Sequence, residues 1–292
     1  MSKHNRSAWM LMASMFIFGT LSPFVRNISV SSGELALYRA VLAAVIIGIY
    51  LLASRQAIPF KAIRKELALL LISGGAMGFN WILLFQAYKY TTVSVATLSY
   101  YFAPVIVTAA CPLLFREKLT RKQVLCFVMS TIGLVLITVT GDMTAGGRDL
   151  IGIAFGLGAA VLYASVVLLN KFIQNVAGIH RTFLQFLAAI IVLAPYVAST
   201  GGMTLGSMDL TGWVCLLVVG LVHSGVAYCL YFSSLRDLPG QKAAILSYID
   251  PLVAVLISVT VLGETMGILQ ILGGGMILGF TLWNELPDRK RK

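Results

Sequence analysis

The chain has 292 residues, of which 59% are hydrophobic and only 11% charged, with a mean hydropathy of +0.90. Soluble domains hold about 25% charged residues, so an ordinary soluble fold is excluded. The formal charge of +11 invites a nucleic-acid reading, but the basic residues lie between apolar runs rather than along one face, and that reading is set aside.

Ten apolar runs follow one another at about 8–25, 35–53, 67–87, 93–114, 122–140, 150–172, 180–199, 210–232, 241–262 and 266–285. Each is near the roughly 20 residues that a helix needs to cross the hydrocarbon layer. Only helices and closed barrels can cross it, and the alternation over about 10 residues that marks barrel strands is missing. The fold class predicted is an all-α membrane protein with ten transmembrane helices. The connections are short and leave no room for a soluble domain. The first run follows Lys3 and Arg6 but lacks a small-residue cleavage site and has a counterpart in the second half, so it is read as retained.

With the N-terminus inside, 18 of the 22 Lys and Arg fall in cytoplasmic segments; Arg26, Arg39, Lys89 and Arg148 are the exceptions. The positive-inside rule then places both chain ends in the cytoplasm, in agreement with an even number of spans. The basic charge orients the chain in its bilayer and faces anionic lipid. The four cysteines, Cys111, Cys126, Cys215 and Cys229, lie inside apolar runs without CxxC spacing. They read as small interior residues, and neither a metal nor another cofactor is expected.

The chain contains itself twice. "VATLSYYFAPVIVTAACPLLFREKLTRKQ" (95–123) aligns with "KAAILSYIDPLVAVLISVTVLGETMGILQ" (242–270), so that Pro104 matches Pro251, Glu117 matches Glu264 and Gln123 matches Gln270. Upstream, Gly78 matches Gly225, Phe85 matches Phe232 and Lys89 matches Arg236, while Arg26 matches Lys171 two residues out of that register. The domains expected are a first five-helix repeat over 1–141, a second over 142–286 and a basic cytoplasmic tail over 287–292. Five spans per repeat force the two halves into opposite orientations. The loop with Glu117 holds four Lys or Arg and the loop with Glu264 holds none, which fits. Inverted repeats are a construction of secondary transporters, with substrate near the midplane where the halves meet.

The Pro-x12-Glu spacing in both halves, "REKLTRKQ" and "GETMGILQ" after it, "LFQAYKYTTVSVATLSY" before it and "YRAVLAA" at 38–44 resemble the EamA-type repeat of the drug/metabolite transporter superfamily. The resemblance covers nearly the whole chain. It implies a ten-helix fold, a central cavity lined mainly by helices 1, 3, 4, 6, 8 and 9, and export or exchange of small metabolites, in a bacterial inner membrane. Two departures stand out. The Trp-Gly often found in the first helix is Phe18-Gly19 here, and "FLQFLAA" in helix 7 has no arginine corresponding to Arg39.

Candidate site residues follow along the runs. Arg39, about five residues into run 2, could bind a substrate carboxylate or anchor the helix end by snorkelling. Run 3 offers Asn80 and Trp81, run 4 offers Tyr100 and Tyr101 before Pro104, and run 6 offers Tyr163 and Asn170 on one face. Run 8 holds His223, a candidate for proton traffic or for pairing with Asp250, equally readable as a satisfied interior histidine. It also holds Tyr228, which matches Trp81. Aromatic walls with a few polar groups suit a concave site, whereas tyrosines also decorate membrane interfaces.

Run 9 carries the sharpest feature. Asp250 lies about nine residues, roughly 14 Å at 1.5 Å per residue, from the run's start, next to Pro251 and near Ser247 and Tyr248. A carboxylate there costs about 2.5–3.5 kcal/mol on insertion scales. Ala243, Ser247, Asp250, Ala254 and Ser258 form a small-residue stripe, with Ile245, Ile249, Leu252 and Leu256 opposite. Asp250 reads as a protonatable site or a counter-ion to a cationic substrate group, against a structural acid bonded to Ser247 or a buried base. The matching residue in the first half is Ala103, so the acid is a specialisation. GxxxG spacings at 74–78, 152–156 and 273–279 allow close helix packing, within a monomer or in a weak homodimer through helices 5 and 10.

The function expected is a secondary transporter, in particular an exporter of a small metabolite such as an amino acid, working by alternating access with proton coupling at Asp250. The alternative is a passive facilitator or exchanger. A membrane-embedded enzyme is disfavoured, because no HExxH, GxSxG or paired intramembrane acids occur.

Overall fold

Run 1 folds as two helices, α1 Lys3–Gly19 and α2 Leu21–Arg26. α3 Ser32–Ala53 and α4 Phe60–Tyr90 follow, then α5 Val93–Tyr100 and α6 Ala103–Phe115, which together make run 4. α7 Arg121–Val139, α8 Arg148–Phe172 and α9 Gly178–Thr200 come next. Run 8 is α10 Leu210–Leu217, a π-helical stretch Val218–Val226 and α11 Ala227–Leu235; α12 Ile249–Thr260 and α13 Ile268–Glu285 end the fold. The computed structural model describes residues 3–55, 60–115, 120–139, 148–173, 175–176, 178–200, 204–235 and 246–286, and among these it is helical without strands. Glu117, Arg236, Lys242, Ala243, Ile245 and the tail 287–292 lie outside the described residues, as does the Lys171 side chain.

Among the described residues, six stretches are long and apolar enough to cross a membrane: Asn5–Arg26, Ser32–Ala53, Ile63–Tyr90, Arg148–Asn170, Gly178–Thr200 and Leu210–Ser234. Shorter apolar helices cover Val93–Val107, Ile249–Thr260 and Ile268–Asn284. Large apolar side chains stand on the outside, Leu52 at 81% and Leu210 at 80% exposure. Water would penalise that surface by about 25 cal/mol per Å², and lipid does not. The chain is a multi-pass membrane protein.

Small polar residues fix where helices start. Ser31 caps α3, its hydroxyl accepting from Glu34 N while the Glu34 carboxylate accepts from Ser31 N. Thr92 caps α5 and Asp209 caps α10 in the same way, each accepting from the backbone three residues on. These caps occupy N–H groups that a helix start leaves orphaned. The two matched glutamines do one job: Gln123 Oε1 accepts from Thr120 N at 2.8 Å, and Gln270 Oε1 accepts from Gly267 N at 3.0 Å.

The two runs that carry the matched prolines, Pro104 and Pro251, are both interrupted beside them. α5 stops at Tyr100 and α6 starts at Ala103, with Pro104 in its first turn. α12 starts at Ile249 with Pro251 in its first turn and Asp250 just before it. Proline lacks an N–H and its ring clashes with the carbonyl four residues back, so it fits the first turn and little else. Asp250 therefore sits at a helix start, where exposed N–H groups favour negative charge.

Packing places these breaks side by side. α4 packs on α8 and α9, α3 on α9 and the π stretch, α1 on α11 and α12, and α7 on α13. The main core gathers Leu37, Ile47, Phe85, Phe186, Leu193 and Val219 from several of these helices. In the π stretch, i→i+5 bonding stacks residues five apart. Gly220 and Gly225 thus share a face, and they lie against Leu42 and Ile46 of α3, one α-helical turn apart. A Cβ on Gly225 would stand 2.8 Å from Ile46 Cβ. The first-helix glycine also permits a close approach, since a Cβ on Gly19 would come within 2.7 Å of the Asp250 carbonyl oxygen. That contact fixes the end of α1 against the start of α12.

Candidate functional site

The Tyr101 hydroxyl donates to Asp250 Oδ2 at 2.5 Å, joining the α5–α6 break to the start of α12. Asp250 is partly buried, with Pro251, Ala254 and Ser258 buried behind it and Leu252 and Leu256 turned outward. Tyr101 meets Tyr100 edge-on with ring centroids 5.8 Å apart, and Tyr100 meets Tyr163 at 5.5 Å. Tyr163 is 41% exposed. Tyr248 is buried at the edge of α12, and Ser247 precedes it.

A second aromatic row runs from the other side. Trp81 packs on Phe186 at 5.1 Å, Phe186 on Tyr228 at 5.3 Å, and Tyr228 on Phe18 at 5.1 Å. Phe18 precedes Gly19, which brings this row back to α12. Asp250 lies within electrostatic range of Tyr88, Tyr100, Tyr163 and Tyr228 as well as Tyr101. The result is a tyrosine-rich cluster around one acid.

Arg39 is the surprise. The sequence suggested a side chain reaching for the surface, but α3 starts earlier than the apolar run, at Ser32, and Arg39 is only 4% exposed. Its Nε donates to Ser224 Oγ at 2.9 Å. Its guanidinium lies over Trp81, 4.7 Å from the ring centre, and near Phe85, 5.5 Å away. Snorkelling is thus replaced by cation–π seating on the second aromatic row. Tyr228, Tyr100 and Tyr88 lie within its electrostatic range.

Three other candidates go elsewhere. His223 is buried, with Nδ1 3.3 Å from Val218 O and Nε2 3.2 Å from Thr20 Oγ1, and its ring packs on Phe24 at 5.1 Å. Both nitrogens are engaged without Asp250, so the two do not pair. Asn80 is buried and donates to the Ala159 carbonyl at 2.6 Å, joining α4 to α8. Asn170 accepts from Gln185 at 2.7 Å, and Gln185 also donates to Ser73 at 2.8 Å, in a bridge between α8, α9 and α4. Each of these amides finds a partner inside the packing, as buried polar groups must.

Sequence reasoning missed a cluster at one end of the bundle. Glu264, between α12 and α13, forms an ion pair with Arg26 at the end of α2. The same carboxylate accepts from Val93 N, at 3.1 Å and 2.9 Å to its two oxygens, and from the Ser258 hydroxyl. Ser94 and Ser258 hydroxyls meet at 2.7 Å alongside. Three chain segments are therefore stapled by one acid. The Pro-x12-Glu spacing was the available signal, but spacing alone does not show what the glutamate holds. Glu34 is a further buried acid, accepting from Thr204 N and Oγ1 and from the Tyr38 hydroxyl.

Arg26 also lines a cavity of about 310 Å³ with Ser32, Tyr88, Lys89 and Phe85. Phe85 is fully buried, and Arg39 lies within 5.5 Å of the same ring. Three of the four basic residues that the charge pattern leaves outside the cytoplasmic segments thus lie around one cavity, Arg26 and Lys89 on its lining and Arg39 behind the Phe85 ring. Among the described residues, no group of three or more His, Cys, Asp or Glu gathers as metal ligands would. Cys126, Cys215 and Cys229 are free thiols.

The sequence profile described as the EamA-like transporter family matches this chain twice, over residues 5–139 and 150–284. An uncharacterized transporter of Bacillus subtilis strain 168, YxxF, is 30% identical over 271 residues, 90% of this chain and 86% of its own. An uncharacterized transporter of Archaeoglobus fulgidus is 29% identical over 287 residues, 94% and 95% of the two chains. A solved crystal structure shares the fold, with a TM-score of 0.65 over 96% of each chain at 14% identity. The chain belongs to the EamA-like transporter family.

Proposed function

We propose that the protein is a secondary transporter that exports a small polar or amphipathic metabolite by alternating access around the Tyr101–Asp250 cluster. The observation that carries this reading is the position of Asp250: an acid at a helix break, bonded to a tyrosine from a second helix break, inside a multi-pass chain. The matched names of relatives agree with transport. Ten spans in two oppositely oriented halves, with both chain ends cytoplasmic, follow from the repeat and the basic charge.

In this arrangement, the cluster of Arg26, Glu264, Val93 and Ser258 is the closed gate of the non-cytoplasmic face. Opening that face separates α2, α5 and the α12–α13 turn, and so breaks the bonds from Arg26 and Val93 N to the Glu264 carboxylate. Asp250 supplies the coupling. One carboxylate can hold a proton or face a substrate cation, and each excludes the other, so a proton entering from outside displaces substrate leaving the cell.

Purified protein in proteoliposomes tests this. A panel of radiolabelled amino acids, nucleobases and sugars should contain a solute that undergoes counterflow, and an imposed pH gradient should drive its accumulation. Counterflow without any response to the gradient would replace the exporter by a passive exchanger. A complete lack of flux for every class would remove the transport reading.

A further inference from the structure

Arg26 ends α2 and Lys89 lies in the last turn of α4, where exposed carbonyls favour a cation. That accounts for each residue by itself, but not for their meeting over one cavity of about 310 Å³. Val25, Ile28, Val30, Leu35 and Phe85 make its apolar side, and all five are buried. Arg26, Lys89, Ser32 and Tyr88 make its polar side. The walls come from the end of α2, the α2–α3 connection, the start of α3 and the last two turns of α4. The cavity therefore sits at a loop end of the bundle, beside the Arg26–Glu264 pair, and away from Asp250 at the start of α12.

The two cations are unevenly served. Arg26 shares Glu264 with Val93 N and the Ser258 hydroxyl. Lys89 Nζ reaches the Val30 carbonyl at 3.5 Å, and none of the described carboxylates lies within ion-pair distance of it. Glu34 is within electrostatic range of Lys89, but its carboxylate accepts from Ser31 N, Thr204 and Tyr38. An inorganic anion would answer the cations and leave the apolar side wet. A neutral hydrocarbon would do the reverse. A carboxylate on a small hydrocarbon body answers both, through charge-assisted bonds to the guanidinium fork and the ammonium and through apolar area withdrawn from water. The volume is at the small end of the roughly 300–1,000 Å³ usual for such sites, so the body is small.

We propose that this cavity binds a small monocarboxylate with an apolar body, its carboxylate between Arg26 and Lys89, and that the bound anion competes with Glu264 for Arg26. One guanidinium then faces two carboxylates whose charges repel each other. Occupancy loosens the Glu264 staple, and loosening the staple strengthens occupancy by the same factor. The site stands on the cavity itself; that its occupant favours opening of the non-cytoplasmic face rests on the transport reading above.

The test uses 4-fluorobenzoate as probe, followed by fluorine NMR on the full-length protein in phosphatidylcholine nanodiscs, with protein-free nanodiscs as background. The expected result is saturable binding, weaker by about tenfold or more for the neutral 4-fluorobenzamide, which lacks the charge-assisted bonds. Hexanoate should displace the probe, and inorganic phosphate at the same concentration should not. Lys89→Gln leaves the Glu264 staple in place and should weaken the probe by a similar factor, whereas Glu264→Gln should tighten it several-fold by freeing Arg26. The ligand series on the unaltered protein decides the matter even where a variant does not fold. Equal binding of acid and amide overturns the site, as do displacement by phosphate, an affinity indifferent to Lys89→Gln, and no saturable binding at all. Phosphatidylglycerol that binds there while free carboxylates do not would make it a lipid site and overturn the proposal too. An unchanged affinity in Glu264→Gln overturns the competition for Arg26. Solute flux in proteoliposomes without probe binding would leave the transport reading standing, and probe binding without any flux would leave the site and remove its link to the gate.

Discussion

Asp250→Asn is expected to abolish accumulation driven by a pH gradient while leaving counterflow in place. Asparagine has the size of the acid and can still accept from the Tyr101 hydroxyl, which now sits at 2.5 Å from Oδ2. What it loses is the negative charge, and with it both the proton and the charge-assisted bond to a substrate cation. Such bonds contribute about 1.5–3 kcal/mol, or roughly 10–150-fold in apparent affinity. Counterflow should therefore persist at raised substrate concentration, with the half-saturating concentration shifted upward by that factor. Accumulation should fall to the level set by equilibrium. Tyr101→Phe separates the two roles of the pair: it keeps the carboxylate, and gradient-driven accumulation should survive with a displaced pH profile. Equal loss of both activities in Asp250→Asn at saturating substrate, in protein that elutes and melts as the parent does, would remove the coupling role.

Glu264→Gln is expected to open the stapled face. The carboxylate holds Arg26, both contacts from Val93 N and the Ser258 hydroxyl. A neutral amide keeps part of this geometry but loses the charge on every bond. Arg26 is partly exposed, so its share is reduced by water, whereas the Val93 and Ser258 contacts are more enclosed. A net loss of about 1.4 kcal/mol already moves a two-state equilibrium tenfold. A cysteine replacing Tyr88, which lines the adjoining cavity, should then react at least several times faster with an impermeant thiol reagent applied to that face. Arg26→Gln added to Glu264→Gln should change the rate little further, because the two partners share one interaction. An unchanged rate in Glu264→Gln would mean that the cluster only braces the fold.

Apolar runs and glycine spacing made much of this legible, because crossing a bilayer constrains every residue of a span. The EamA-type resemblance rested on the Pro-x12-Glu spacing, which the family match supports. The interruptions were harder to see. Run 1 changes helix near Thr20, and run 8 widens into a π stretch around His223. Both depend on Gly19, Gly220 and Gly225 meeting particular side chains on other helices, which hydropathy does not record. Composition also misplaced Arg39, because the apolar run begins after the polar turn that caps α3 at Ser31. The cost of inserting Asp250 could be read from its neighbours, but its partner Tyr101 lies 149 residues away. The amides Asn80 and Asn170 looked like cavity groups and are instead bonds between helices. Residue type announces that a polar atom needs a partner, and only packing selects which.

The account turns on a chamber that opens to one face and then to the other. The direct measurement places a single cysteine at Tyr100 in a background without Cys111, Cys126, Cys215 and Cys229, and treats sealed vesicles of each orientation with an impermeant thiol reagent. Labelling from both faces, with the face opposite the stapled cluster reacting faster and Glu264→Gln narrowing the difference, is the predicted result. Labelling from neither face, while a lipid-soluble reagent reacts freely, would place that position against lipid and contradict the chamber.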